Sequence, residues 1–401
     1  MSHSTRQLLF DTARRLAAMQ YQSDGHDWYR GEFPMRIQGT VDRLDHNFLS
    51  GYALRHVALA SQRPGVPENA RSILQGILAT AALVPGQYQS TLGTGNWYHG
   101  KASRCRSPVD YPWPGGVVVA LCDDYDDTAI AAQLAQLGPF KPRIPHSIEL
   151  FLEAAHTPGV HLLVPKSVRR MELAGVTAGV YQSWVLPGPD PEITRRAAGI
   201  EAPVVIMPQA NSVELTTVAN IAAVVHLLGG DPELPTQRAS VHFVNALARC
   251  AIKRLLEGDA SWLDFASSYY PRFPFAPLCF LVQDHALMGG ELLTPETQAL
   301  LRRAVLEVSE DAYSRMSGFG TRAYWLSCAA WCAVTGLIER RSIIARLRSV
   351  WERVRAERSQ DGLWPFIVFF HSAHVGDYGG LAYVQALVLE LLALLLELEV
   401  D

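Results

Sequence analysis

The chain has 401 residues, 18% of them charged and 49% apolar, with a formal net charge of −4. So few charges, against roughly 25% in ordinary soluble domains, point to much buried helix surface. The mild acidic balance gives no electrostatic footprint for nucleic acid. Six cysteines show no CxxC pair and no zinc-finger spacing, so they read as reduced core thiols of a cytosolic protein.

In chain order, helical periodicity dominates. The polar, amphipathic MSHSTRQLLFDTARRLAAM predicts a helix over 4–20 and lacks the apolar stretch of a signal peptide. Further helices are predicted over 45–61, 67–83, 127–137, 145–156, 191–198, 211–228, 236–257, 293–309, 320–336, 340–358 and 380–398. Gly- and Pro-rich punctuation (PGVPE, YPWPGG, LPGPDPE, GGDPELP) separates them. PVVIMP and HLLVP are short apolar runs, too isolated to build a sheet. The last segment, LAYVQALVLELLALLLELEV, is the most apolar. Glu390, Glu397 and Glu399 interrupt it, so it reads as a buried core helix, with a patch resting on a membrane as the alternative. No linker is long or low in complexity, so residues 1–401 read as a single domain. A dozen helices in hairpins predict an all-α fold, an α/α barrel (toroid) of inner and outer helices. A longer bundle or a solenoid fits the same count.

A weak internal repeat favours the toroid. Gln22, Asp24, Gly25 and Trp28 near the start echo Gln360, Asp361, Gly362 and Trp364 near the end. Gly95, Asn96 and Trp97 give a third copy. Glycine permits the turn, Asp or Asn caps the next segment, and Trp plugs the gap between hairpins.

The sharpest feature is LCDDYDDTAIAA, in which Asp123, Asp124, Asp126 and Asp127 fall within five positions between apolar flanks. One helix cap needs no such number. Asp124-Tyr125-Asp126-Asp127-Thr128-Ala129 resembles the DxDDTA signature of class II terpene cyclases, the squalene–hopene and diterpene cyclase superfamily. The Gln–Asp–Gly–x–Trp segments resemble that superfamily's QW repeats. The resemblance implies an α/α barrel of one β-type domain. It also implies a reaction begun by protonating a double bond of a linear isoprenoid, with Asp126 as general acid and Asp124 and Asp127 tuning it. Burial and adjacent carboxylates both disfavour ionisation, which suits a carboxyl that must keep its proton. The chain is too short for a full second barrel, so the enclosure that a second domain provides is in doubt.

Two alternatives stand. Asp123, Asp124 and Asp127 also spell DDxxD, which resembles the magnesium motif of class I terpene synthases. NSVELTTVAN (211–220) has suitable residue types for a second metal motif at the wrong spacing. A non-catalytic α/α-barrel binding module is the other.

Carbocations gain roughly 0.5–2 kcal/mol from each aromatic face. Candidate lining residues are Trp97, Tyr98, Trp113, Tyr125, Tyr181, Trp184, Trp364 and Phe370. Lys101 and Arg104, in HGKASRCR, could clamp a phosphate. Protonation needs no cofactor; Mg²⁺ enters if the substrate carries a diphosphate. The expected partner is a small isoprenoid, C15–C20, in a cytoplasmic protein with peripheral membrane contact as an option. His156, His226, His285, His371 and His374 are isolated; one of them could orient the acid.

Overall fold

Helix α1 (Thr5–Met19) begins where the Ser4 hydroxyl accepts the amide N–H of Gln7. The structure is a computed structural model that describes residues 4–25, 29–34, 36–37, 47–87, 89, 120–121, 125–152, 179–181, 204–205, 214–259, 271, 273–312, 318–372 and 376–400. After α1 come α2 (Asn47–Ser61), α3 (Glu68–Thr80), the single turn α4 (Val84–Gln87), α5 (Tyr125–Leu137) and α6 (Ile148–Leu152). Then follow α7 (Leu215–Leu227), α8 (Pro235–Leu256), α9 (Ala276–Leu287), α10 (Pro295–Glu307), α11 (Gly318–Val334), α12 (Arg340–Ala356) and α13 (Leu381–Glu397). The chain is all-α in class.

Six of these helices close a ring. α2 packs on α5, α5 on α7, α7 on α9, α9 on α11, α11 on α13, and α13 back on α2. Outside it, α1 lies on α13 and α3, α3 on α2, α8 on α7, α10 on α8, and α12 on α11. The layers differ in sequence for a physical reason. An outer helix needs one apolar stripe, and α12 shows it: Ile343, Leu347, Val350, Trp351 and Val354 are buried while Arg340, Arg341 and Arg348 are exposed. An inner helix meets protein on every side. α13 is buried continuously from Ala382 to Leu395. Its apolarity is therefore core apolarity, and among the described residues no helix is long and apolar enough to cross a membrane.

α2 meets α5 at Gly51, where an added Cβ would stand 2.9 Å from a methyl of Ile130. Lacking that atom, Gly51 lets the two helices approach closely.

Two expectations need correction. Residues 276–287 form the inner helix α9, which periodicity did not reveal; APLCFLVQDHAL is buried over its first ten residues and has no polar face. The run PVVIMP is not isolated. Its Val204–Val205 (β3) pairs in parallel with Ala120–Leu121 (β2), the segment that leads into α5. A small antiparallel sheet also joins β1 (Arg36–Ile37), β5 (Gly376–Gly379) and β4 (Val368–Ser372), in the order β1-β5-β4. The predicted helix over 191–198 lies outside the described residues.

The repeat at 360–364 is structural. Gly362 has φ +78°, in the left-handed region, where a side chain would also meet the Arg15 guanidinium at 2.7 Å. Trp364 stacks on Phe319, with ring centroids 6.3 Å apart, and tilts against Trp351 at 5.8 Å. Its indole N–H donates to Thr12 Oγ1 at 3.4 Å. It plugs the space where α1, α11 and α12 meet. The copy at Trp97 and the tryptophan of the first copy, Trp28, lie outside the described residues.

Candidate active site

The aspartate motif enters the structure at the start of α5, with Asp126 and Asp127 in its first turn. A solvated acidic turn would leave both exposed; instead Asp126 is 6% exposed and Asp127 1%. The helix N-terminus favours negative charge by roughly 0.3–1 kcal/mol. Taking a carboxylate out of water costs several kcal/mol. Burial and the helix N-terminus therefore act in opposite directions at this position.

Asn220, in the second turn of α7, spends both side-chain N–H bonds inside the ring. One goes to Asp126 Oδ1 at 2.8 Å and the other to the Tyr52 hydroxyl oxygen at 2.7 Å. Tyr52 stands on α2 beside Gly51, where α2 and α5 approach closely, and is linked to Asp126 through Asn220. Gln133, two turns along α5, donates towards Asn220 Oδ1 and Asp284 Oδ1, each at 3.5 Å. Asp284 on α9 also accepts from Arg55 on α2 at 2.6 Å, and both side chains are wholly buried. Arg55 donates further to Gln283 Oε1 at 3.1 Å, and Gln283 donates to both oxygens of Glu390 on α13 at 3.0 and 3.1 Å. Glu390 also accepts from the Trp331 indole at 2.7 Å and pairs with His56 Nδ1. The residues that interrupted the apolar α13 sequence thus include one, Glu390, that closes a buried polar network.

Position along the helices separates this network into levels. Asp126, Tyr52 and Asn220 occupy the first two turns of α5, α2 and α7. Arg55, His56, Gln133, Gln283, Asp284 and Glu390 lie one or more turns further along the same set of helices. Aromatic rings fill the upper level. Tyr52 meets Phe280 edge-on at 5.3 Å and Phe369 at 5.6 Å. Phe369 meets Tyr383 at 4.8 Å, and the Tyr383 and Tyr324 hydroxyls share a 2.7 Å hydrogen bond. Phe273 stacks on Tyr324 at 5.7 Å. Burial pushes both phenols well above their usual range, so they stay neutral and present ring faces without charge. Asp284 is raised to about 7, first by burial and also by the nearby Asp126 charge, with Arg55 opposing.

No protein-family model matches the chain, and no curated protein does. Solved structures do. A type II terpene cyclase from Scytonema, MstE, matches with a TM-score of 0.54 at 13% identity, over 99% of this chain and all of that one (100%). A protein from Actinoplanes matches with a TM-score of 0.53 at 14% identity, over 96% of this chain and 99% of that one. The chain has a class II terpene cyclase-like fold. At these identities the likeness speaks for the fold and leaves the site to be argued from this chain's own residues.

The structure divides the sequence candidates. Asp126, Asp127 and Tyr125 stand together, buried, at the start of α5. Tyr181 does not join them through its hydroxyl, which donates to Gln237 on the outer helix α8 at 3.0 Å. Trp364 is the plug described above, held by partners on α1, α11 and α12. Phe370 lies in β4 opposite Tyr378. Asp123, Asp124, Trp97, Tyr98, Trp113, Trp184, Lys101 and Arg104 lie outside the described residues. Among the histidines, His285 accepts the Leu293 amide and His226 faces Glu291 at 3.8 Å, while His156 and His374 lie outside the described residues. Asn220 touches Asp126. It closes NSVELTTVAN, where its residue type drew notice for a different motif. Tyr52, Phe280, Asp284 and Arg55 gave no signal, being single residues in apolar helices.

Proposed function

We propose that the protein is a class II, protonation-initiated terpene cyclase acting on a linear isoprenoid of C15–C20. The observation that carries this is a buried Asp126, from the DYDDTA motif, hydrogen-bonded by Asn220 beside a cluster of aromatic rings. Asn220 occupies Oδ1 as a donor, which suits Oδ1 as the carbonyl oxygen of a neutral acid and leaves the transferable proton to the other oxygen. An isolated alkene has no heteroatom to help it accept a proton, so the acid must be strong, dry and fixed in place. Asp126 gives its proton to the less substituted alkene carbon. The π electrons form the new C–H bond and the cation appears on the more substituted carbon. Internal double bonds attack that cation and close rings. The sequence ends when a C–H bond beside the last cation releases its proton, or when water is captured.

Asp127, buried beside Asp126, and Asp124 disfavour charge on Asp126 and offset the cation that follows transfer. Tyr52, Phe280, Phe369 and Tyr383 supply ring faces, each worth roughly 0.5–2 kcal/mol to a passing cation. Protonation itself calls on no metal. The test is incubation with farnesyl and geranylgeranyl diphosphates and the matching alcohols, with and without Mg²⁺. A cyclic product that retains its head group supports the reading, and its loss in Asp126→Asn assigns the acid. Release of diphosphate with strict Mg²⁺ dependence and sensitivity to Asp123→Ala overturns it in favour of metal-dependent ionisation.

A further inference from the structure

We propose that His56 is the base that ends the reaction, taking through Nε2 the proton released beside the last cation, with Glu390 holding the imidazole in place; this rests on the protonation-initiated reading. His56 stands on α2 one turn after Tyr52, about 6 Å further along the helix axis. Residues four apart share one face of a helix, so His56 looks into the same interior as Tyr52, which Asn220 ties to Asp126. The His56 side chain is wholly buried. Its Nδ1 pairs with Glu390 Oε2, and its Nε2 makes no hydrogen bond among the described residues. A buried polar atom without a partner lowers stability, and packing alone gives no reason to keep one here. Glu390 lies two turns further along α13 than Tyr383, and Nδ1 turns towards it, which leaves Nε2 on the edge of the ring away from Glu390. The imidazole meets Tyr383 edge-on with centroids 5.4 Å apart and Phe280 at 6.3 Å. Those rings belong to the aromatic cluster, so His56 joins the buried polar network to it.

The pair has the form that proton abstraction needs. Glu390 accepts from Nδ1–H, which fixes the tautomer with a lone pair on Nε2. Gln283 donates to both Glu390 oxygens at 3.0 and 3.1 Å and the Trp331 indole donates to Oε1 at 2.7 Å, so the carboxylate is itself occupied and fixed. In the closing step the C–H bond beside the last cation breaks. Its electron pair becomes the π bond of a new alkene, and the proton moves to Nε2. The imidazolium so formed is paired with Glu390. One proton enters from Asp126 and one leaves to His56, so no further reagent is consumed, and both groups reset by exchange with water once product departs. The other titratable groups nearby are placed for other work. Asp126, once ionised, stands at the end where cyclisation starts. Tyr52 accepts from Asn220, and the Tyr324 and Tyr383 hydroxyls bond each other. Burial keeps those last two phenols neutral and the Cys279 and Cys328 thiols protonated. Asp284 Oδ2 also has no hydrogen bond among the described residues, but that carboxyl is tied to Arg55 at 2.6 Å, one turn beyond Phe280 on α9. His285 is occupied with the Leu293 amide. Glu390 is therefore a positioning residue, and His56 the group that meets the reacting C–H bond.

The test is turnover of farnesyl and geranylgeranyl diphosphates and the matching alcohols in D₂O, with products identified by mass and by the positions of deuterium and of the new double bond. The wild type gives a deuterium-labelled cyclic alkene. His56→Asn keeps an N–H for Glu390 and removes the basic nitrogen. Cyclisation still starts, so label enters at the same carbon, but proton loss at the wild-type position slows by roughly 10²-fold. The wild-type alkene then falls about tenfold or more as a share of product. Alcohols from water capture, or alkenes with the double bond elsewhere, replace it. Glu390→Gln removes the charge that holds the Nδ1 proton and shifts the products in the same direction, and it carries the test if His56→Asn does not fold. A role in packing alone lowers all products together and leaves their ratio unchanged; that result in a folded variant overturns the proposal. A wild-type product that carries a new hydroxyl in place of a new double bond overturns it too. No labelled cyclic product from the wild type overturns the cyclase reading itself, and this one with it.

Discussion

Replacing Asn220 by alanine tests whether the acid is held in place by the ring. The side chain is wholly buried and makes two short bonds from one nitrogen, 2.8 Å to Asp126 and 2.7 Å to Tyr52. Removing a partner from a buried polar group costs about 1–3 kcal/mol, so losing both bonds lowers the unfolding free energy by about 2–6 kcal/mol. The chemical effect is separate. An acid shifted by about 1 Å loses roughly 10²-fold in rate, less than the loss expected when the acid is removed. The assay pairs denaturant unfolding with turnover per folded molecule. Asn245→Ala is the control. Asn245 is equally buried on α8, donates to Leu292 O and accepts from the Thr294 amide, each at 2.8 Å, and lies in the outer layer. Both variants lose stability, and only Asn220→Ala loses turnover. Equal turnover in the two variants would refute the positioning role.

Trp364→Ala should cost about 3–5 kcal/mol of stability, because a large plug leaves a cavity, while turnover per folded molecule stays at the wild-type level. A selective loss of turnover would return Trp364 to the substrate. Gly51→Ala forces a Cβ against Ile130 at 2.9 Å. It should cost about 1–3 kcal/mol and slow turnover through displacement of Tyr52, measured by thermal unfolding and single-turnover rates. Asp284 also gives the stability a pH signature. Its folded value of about 7 exceeds the ordinary aspartate value of 3.8, so between those limits the folded state binds more protons than the unfolded chain. Stability from this group is full below about 4 and is lost as pH rises through about 7. Denaturant titrations of wild type and Arg55→Gln/Asp284→Asn from pH 4 to 8 should show a wild-type decline that the double variant lacks.

What the sequence made legible follows from what side chains must do locally. The outer helices could be read because solvent imposes a stripe on them: α3 buries Ala70, Leu74, Ile77 and Leu78 and exposes the rest in turn. The aspartate cluster could be read as a candidate site because four aspartates in five positions have no cheap structural explanation. α9 could not, since protein surrounds it on all sides and erases the period. Asn220, Tyr52, Gln133 and Asp284 could not either. Each is one unremarkable residue on its own helix, and only closure of the ring, with separations of 87 to 229 positions along the chain, brings them into one network. Trp364 was legible as part of a motif, but not as the plug of a seam, because a tryptophan that fills a seam and one that faces a ligand look alike in sequence.

The most direct measurement is deuterium incorporation during turnover in D₂O, read by mass and by position in the product. Protonation by Asp126 places one deuterium at the terminus of the isoprenoid where cyclisation starts, and Asp126→Asn gives no labelled cyclic product. A cyclic product free of deuterium at that carbon, or undiminished turnover in Asp126→Asn, would contradict an un-ionised aspartic acid as the source of the first cation.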